Sequence, residues 1–485
     1  LSLWAALAHQ AQARPQAPAL RFEGTTTDYA TLLAEIGAAA AGLAALSIGR
    51  GDRIAYLGQN HPSQLVQFFA AARLGAMQLP LNWRLAPPEL GFILADATPR
   101  LLLAAPEMLA VAREVAPPGC AVLDATAPWP AAPAPPAIGT ADDPVLLVYT
   151  SGTTGQPKGA VLDQRAVLAN AANASDAFEL TAADRVLTLL PLFHVGGLNI
   201  QTTPALLAGA EVVLLPRFDP ASCLATCAET QPSLTLLVPA VMQALVAHPG
   251  WQAAALGSLR AIGAGSSDVP LPLIEAFHAR GIPVQQVYGA TETGPIALIQ
   301  SRAEALAAPG SIGLPPLHGA VRVVDAMGQP LPPGQPGEIQ LRGPQIARGY
   351  WNAPPFPPGA WFATGDIGHC DAEGRFWFTD RLKQLIISGG ENIYPAEVER
   401  VLRDAPGVAE GAICGRPDAR WGEVPVAVVV PGPGFDADAV LRYFEGRLAR
   451  FKHPRVVVTV EALPRTALGK VQLEALRGIA ACGRG

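Results

Sequence analysis

The apolar run Val145-Leu146-Leu147-Val148-Tyr149 leads without a break into Thr150-Ser151-Gly152-Thr153-Thr154-Gly155-Gln156-Pro157-Lys158-Gly159. A short run that is apolar at every position reads as a buried strand. The loop after it is rich in hydroxyls and glycine and carries one lysine. Backbone N–H groups and hydroxyls in such a loop cradle phosphate oxygens, glycine lets the backbone come close, and Lys158 adds positive charge. The Walker A pattern needs Gly just before the Lys and Ser or Thr just after it. Pro157 and Gly159 stand there instead.

The rest of the chain has to supply partners for that strand. Arg53-Ile54-Ala55-Tyr56-Leu57 and Leu101-Leu102-Leu103 read as strands, with a helix over Gln64–Leu74 between them. This alternation predicts a layered α/β sheet. The Ala-rich run Ile36–Ile48 reads as a buried helix; it is shorter than the roughly 18–20 apolar residues a bilayer span requires. Residues 128–144 are rich in Pro and Ala and read as a linker or exposed loop. Strand–helix pairs fill 184–300, and short Gly- and Pro-punctuated strands follow from about 311 to 380. The last hundred or so residues read as a separate α/β unit, with a helix over Pro395–Arg403, a strand over Val424–Val430 and a helix over Asp436–Ala449. At 485 residues the chain exceeds the roughly 250–300 that one core sustains. We expect an N-terminal domain over 1–380, a hinge at 381–383 and a C-terminal domain over 384–485.

Composition narrows the partners. The net charge is −6 and charged residues are 15% of the chain. No basic stripe supports nucleic-acid binding, and no polybasic cluster supports an anionic membrane. The six cysteines form no CxxC; they read as small buried hydrophobes or free thiols and suggest the cytoplasm. Leu1–Ala13 has neither a basic stretch nor a cleavage-type ending, so no targeting segment is expected. The chain does not begin with Met, so its natural start is expected to lie elsewhere.

The Thr150–Gly159 string resembles the signature loop of the adenylate-forming superfamily, which comprises acyl-CoA synthetases, peptide-synthetase adenylation domains and firefly-type luciferases. Further motifs follow in that family's order. Leu190-Pro191-Leu192-Phe193-His194 resembles the aromatic–His motif beside the acyl site. Gly263-Ala264-Gly265-Ser266-Ser267 resembles the loop on one side of adenine. Gln286-Val287-Tyr288-Gly289-Ala290-Thr291-Glu292-Thr293-Gly294 resembles the adenine and metal motif. Thr364-Gly365-Asp366 and Asp380-Arg381-Leu382-Lys383 resemble the ribose and hinge motifs, and Asp366 and Arg381 are spaced to meet across a hairpin. Ile386–Glu399, with Gly389-Gly390 and Pro395, is most similar to CoA-forming relatives acting on fatty and aromatic acids. Leu463–Val471 resembles the segment that brings in Lys470. Pro80–Leu85 also fits the family's early pattern.

The resemblance implies a large N-terminal domain of layered sheets with a β-rich subdomain, and a small mobile C-terminal α/β domain. It implies that Thr150, Ser151, Gly152, Thr153, Thr154, Gly155, Lys158, Gly265, Gln286, Val287, Tyr288, Gly289 and Thr291 surround ATP, with Asp366 and Arg381 on the ribose. Tyr288 would stack on adenine, Thr291 would touch phosphate and Glu292 would hold Mg2+, a hard cation that takes oxygen ligands. His194 would orient or gate the carboxylate. Val195, Gly196, Gly197, Asn199, Val238, Pro295 and Ile296 would line the acyl pocket, with Gly265 and Val287 beside them. Arg217, Gly389 and Gly390 would meet CoA. Gln384 follows the hinge lysine Lys383, where many relatives carry an acid.

The implied chemistry runs in two steps. A carboxylate attacks the α-phosphate of ATP, giving acyl-AMP and pyrophosphate, while Lys470 offsets the developing charge. The C-terminal domain then turns about Lys383, and the CoA thiol displaces AMP to form a thioester. No cation stands at the pocket positions, which disfavours dicarboxylates, because a buried unpaired charge is costly. No Asp follows Phe193-His194, which disfavours α-amino acids. The glycines suggest room for a flat ring or a chain, so a fatty and an aromatic acid both remain open. A carrier-protein thiol as acceptor, or a stop at acyl-AMP, is the alternative. A non-catalytic nucleotide-binding module would be expected to lack Glu292, Asp366 or Lys470, and all three are present. The partner is expected to be a small carboxylic acid; oligomeric state stays open, with a homodimer as one option.

Overall fold

The protein is described by a computed structural model covering residues 2–130, 132–150, 157–265, 269–381, 386–393, 395–464 and 471–482. It divides into two compact units. The first comprises Leu1–Trp83, Ala97–Val148 and Gly159–Asp380; the second comprises Arg84–Asp96, Tyr149–Lys158 and Arg381–Gly485.

In the first unit, a seven-stranded sheet runs in the order Gly349–Tyr350, Lys158–Asp163, Pro144–Thr150, Met77–Leu81, Arg53–Leu57, Leu101–Ala104, Ala121–Asp124. Arg53–Leu57 pairs in parallel with both of its neighbours. Met77–Leu81 is buried at every residue, as a helix-covered parallel strand must be. The second sheet has eight strands, and its interior pairs are parallel. Val284–Tyr288, Ala261–Gly265, Leu234–Leu237 and Arg185–Thr188 are consecutive within it. A four-stranded antiparallel sheet of Ala320–Val324, Gly337–Arg342, Phe362–Cys370 and Phe376–Arg381 supplies the expected β-rich part.

The run expected to be helical over Ile36–Ile48 lies in the helix Tyr29–Ala45 only as far as Ala45, because Ser47 takes a left-handed φ of 58°; the helix begins where the Asp28 carboxylate accepts from Thr31 N at 2.7 Å. Leu32, Ile36, Ala39, Ala40 and Leu43 recur at helical spacing and are buried. Among the described residues the Pro/Ala-rich segment has neither helix nor strand from Ala125 to Asp143, but it is anchored. The Trp129 ring occupies the space over Gly42, where a Cβ would come within 2.1 Å. The Arg73 guanidinium donates to the Pro135 carbonyl at 2.6 Å.

The second unit holds a sheet of Ile386–Ser388, Glu391–Ile393, Val408–Asp418, Gly422–Pro431 and Val456–Thr459. Its apolar residues alternate between two cores. Ile413, Ala427 and Val429 pack with Val398, Leu402 and Phe444, while Ala412, Cys414, Val426 and Val428 pack with Leu476 and Ala480. Both faces are covered, so the strand Gly422–Pro431 is apolar at every residue from Val424 on. The helix expected over Asp436–Ala449 runs only over Ala437–Tyr443. Gly446 takes a left-handed φ of 71°, which an α-helix cannot continue through. Among the described residues no helix is long and apolar enough to cross a membrane.

Candidate active site

In the first unit the candidate residues gather where parallel strands end. Open α/β sheets bind ligands beyond the carboxyl ends of such strands. Val284–Tyr288 delivers Tyr288, whose hydroxyl donates to Asp366 Oδ2 at 2.7 Å. The residues expected at adenine and at ribose are therefore joined directly. Asp366 lies on Phe362–Cys370, the sheet neighbour of the strand that ends at Arg381.

Beyond Tyr288 the chain makes a tight turn over Thr291–Thr293. The Thr293 hydroxyl accepts from Ala290 N and donates to Ala290 O, both at 2.9 Å. A Cβ on Gly289 would lie 1.7 Å from the Pro295 carbonyl oxygen, so this turn closes only on glycine. Glu292 is partly exposed. Its Oε1 accepts from the Tyr350 hydroxyl at 2.8 Å, and its backbone carbonyl accepts from Ala347 N at 2.8 Å. Tyr350 is carried by the short strand Gly349–Tyr350, which pairs with Val161 and Ala160. Nothing in the sequence singles out Tyr350.

Gln286 turns its amide inward, donating to the Ser311 carbonyl at 2.8 Å. Val287 is 5% exposed. At Gly265 a Cβ would sit 2.2 Å from the Val287 carbonyl oxygen. Thr150 and Lys158 flank the hydroxyl-rich loop, and Thr150 Oγ1 reaches the Lys158 carbonyl at 3.5 Å. Ser151, Gly152, Thr153, Thr154, Gly155, Ser266, Ser267, Lys383 and Lys470 lie outside the described residues.

The His194 ring packs on Phe193 with centroids 4.5 Å apart. Its carbonyl accepts from Leu198 N at 3.1 Å, at the start of the wide-turned helical segment Gly196–Thr202. Wide turns of this kind recur at functional sites. Asn170, which the sequence reading passed over, ties this segment to the next pocket stretch. Its Nδ2 donates to the Asn199 carbonyl at 2.7 Å, and its Oδ1 accepts from Ile296 N at 3.0 Å. Asn199 Nδ2 in turn donates to the Gly294 carbonyl at 3.2 Å. Asn199, Pro295 and Ile296 are thereby brought together. A polar Asn within an otherwise buried helix face was the available signal. Val195 is buried, and Val238 stands at the start of the helix Pro239–Val246.

The expected room for an acid is not found at every glycine. A Cβ on Gly197 would lie 2.2 Å from the Pro191 carbonyl oxygen, so Gly197, like Gly265, serves close backbone approach and not room for an acid. At Gly196 the nearest atom is Ile200 Cδ1 at 3.9 Å, and that position does have space. Arg217 is exposed after the strand Glu211–Leu214.

In the second unit, Gly389 and Gly390 form the two-residue turn between Ile386–Ser388 and Glu391–Ile393, with φ of 59° and 83°. Paired positive φ values are what a tight hairpin turn demands. The Trp421 ring covers Gly389, where a Cβ would come within 2.7 Å. The Arg84 guanidinium pairs with the buried Glu391 carboxylate. Lys452 is 4% exposed, and its ammonium donates to Glu89 and to Glu397, each at 2.7 Å. Burial acts to lower the Lys452 pKa; the charges of Glu397 and Glu89 override it and hold the pKa above its ordinary value.

Comparison with known proteins accounts for this arrangement. Residues 7–351 match the AMP-binding enzyme family, and 397–470 match the AMP-binding enzyme C-terminal domain. An indoleacetate–CoA ligase from Aromatoleum aromaticum is 46% identical, covering 99% of this chain and 98% of its own length. A feruloyl-CoA synthase from Amycolatopsis is 41% identical, covering 95% and 96%. Among solved structures, a double mutant of o-succinylbenzoate CoA synthetase from Bacillus subtilis superposes with a TM-score of 0.89 at 32% identity, covering 99% and 98%. The chain belongs to the AMP-binding enzyme family, as an AMP-forming acid–thiol ligase of the acyl-CoA synthetase type.

Proposed function

We propose that the chain converts an aromatic monocarboxylic acid into its CoA thioester by way of an acyl-adenylate. The observation that carries this reading is the 46% identity to an indoleacetate–CoA ligase over 99% of the chain. The pocket candidates agree with it. Val195, Asn199, Val238, Pro295 and Ile296 are uncharged and buried, and a second carboxylate among them would be left unpaired.

In the first half-reaction the acid's carboxylate attacks the α-phosphate of ATP, and pyrophosphate leaves. Tyr288 would stack on adenine, with Asp366 holding the ribose hydroxyls and Thr291 the phosphate. His194 would aim the carboxylate, and Lys470 would offset the charge that develops on the α-phosphate. Glu292 fits a Mg2+ ligand: its carboxylate offers hard oxygens, and the Tyr350 hydroxyl fixes its orientation. Mg2+ commonly takes one or two carboxylates together with substrate phosphates, and when bound it would neutralise phosphate charge. In the second half-reaction the CoA thiol attacks the acyl carbon and AMP leaves. Arg217 and the Gly389-Gly390 turn are the candidates for meeting CoA, and Lys383 for the pivot between the two halves.

The test is ATP-dependent pyrophosphate release over a panel of arylacetic, cinnamic, straight-chain and dicarboxylic acids, with and without CoA, with products identified by mass. The expected result is an aryl-CoA thioester formed only with CoA. Best turnover with straight-chain acids would overturn the aromatic assignment. Pyrophosphate release without any thioester would point to a carrier-protein acceptor.

A further inference from the structure

Gln201 is a polar side chain that the fold buries without satisfying. It lies on Gly196–Thr202 and is 2% exposed, yet neither Oε1 nor Nε2 meets a hydrogen-bond partner among the described residues. Exchanging the amide oxygen and nitrogen would not help, because both atoms are orphaned. Buried polar groups are nearly always paired, so each exception calls for an explanation.

The neighbours show why no protein group serves it. Thr202 Oγ1 lies 2.6 Å from the Gly197 carbonyl, to which it donates. Thr188 Oγ1 lies 2.8 Å from Thr202 Oγ1 and completes that chain. These hydroxyls satisfy each other. Gln201 instead borders a cavity of about 10 Å³, lined also by Leu190, Gly197 and Leu236. That volume admits one water, or one polar substituent of a ligand. A Cβ on Gly263 would lie 3.3 Å from Gln201 Nε2, so the amide end sits against the strand Ala261–Gly265. Gly197, which is among the residues expected to line the acyl pocket, also lines this cavity, and it is the point at which the two would meet.

We infer that Gln201 is a specificity-determining residue that reads a hydrogen-bonding N–H or O–H on the ring of the acid, away from its carboxylate. The inference rests on the aromatic-acid reading above. An amide suits the task because its N–H donates and its oxygen accepts. A site built to hydrogen-bond a substrate group rejects the analogue that lacks it far more strongly than an apolar pocket rejects a change of size.

The experiment compares kcat/KM for adenylation, read by pyrophosphate exchange, within two matched pairs. Indoleacetate is set against its benzothiophene analogue, in which sulfur replaces the ring N–H. Para-hydroxycinnamate is set against cinnamate. The wild type is expected to favour the hydrogen-bonding member of at least one pair by about tenfold to a hundredfold. Gln201→Leu is expected to remove that preference while leaving the apolar member within a few-fold of wild type. A wild type without preference overturns the inference. So does a variant that slows both members equally, as a purely structural site holding one water would. Thermal melts accompany the kinetics, and Gln201→Met replaces the Leu variant if the latter unfolds early. If the wild type adenylates only straight-chain acids, the aromatic reading itself fails, and that result comes from the wild type alone.

Discussion

The hydroxyl of Tyr350 donates a 2.8 Å hydrogen bond to the Glu292 carboxylate, joining a two-residue strand to the turn after Val284–Tyr288. A hydrogen bond to a charged group contributes about 1.5–3 kcal/mol. Tyr350→Phe is expected to lower the rate of pyrophosphate release about tenfold or more and to raise the Mg2+ concentration needed for half-maximal rate. The loss of stability should stay within that range, so the variant remains folded at assay temperature. A Mg2+ titration of both proteins checks this; an unchanged midpoint would remove Tyr350 from a role in holding Glu292.

Lys470→Ala is expected to reduce adenylation by about a hundredfold or more, the scale on which a lost charge-stabilising donor acts. Thioester formation from supplied acyl-AMP and CoA should persist. Measuring the two half-reactions separately decides the matter, and equal loss of both would refute the assignment.

Gly196→Ala and Gly197→Ala should behave differently although they are adjacent. Gly196 has open space, so its variant should fold normally and shift the preferred acid toward smaller rings. A Cβ on Gly197 would press into the Pro191 carbonyl, so that variant should lose roughly 1–3 kcal/mol of stability whatever the acid. Thermal denaturation and an acid panel distinguish the two.

Lys452→Met should destabilise the protein by about 3–5 kcal/mol, because two buried carboxylates lose their shared counter-ion. The folded-state pKa of Lys452 lies above its ordinary value. Its contribution is therefore complete below about pH 10.4, the unperturbed value for lysine, and is lost as pH rises through the folded pKa. Melting temperature against pH should fall more steeply above that point in the wild type than in the Met variant. Parallel curves would mean that the ammonium contributes nothing specific.

Gly389→Ala should disturb the hairpin, through both the positive φ and the Trp421 ring that covers it. The expected cost is about 1–3 kcal/mol. Trp421→Ala in the same background should recover part of it if the clash with the ring dominates; no recovery would place the cost in the backbone alone.

Much of this molecule is legible in local pattern. The strand Arg53–Leu57 and the helix Pro395–Arg403 fall where periodicity and Pro placed them, because each is dictated by residues within one or two turns. The helix expected to reach Ala449 stops at Tyr443, because whether Gly446 ends a helix or sits within one depends on its backbone angle, which spacing does not reveal. The Pro/Ala-rich segment reads as a linker by composition, yet Trp129 and Pro135 pin it to residues far away in the chain.

The family, the order of the motifs and the residue types expected at phosphate, ribose and metal are legible in short contiguous strings. That Tyr350 meets Glu292, that Asn170 ties Asn199 to Ile296, that Lys452 sits between Glu89 and Glu397, and that Gln201 finds no partner among the described residues emerges only from the packing. The physical reason is the same in each case. A buried polar group must find its partner wherever packing places one, and Lys452 and Glu89 stand 363 residues apart. Local periodicity carries no information over such a distance.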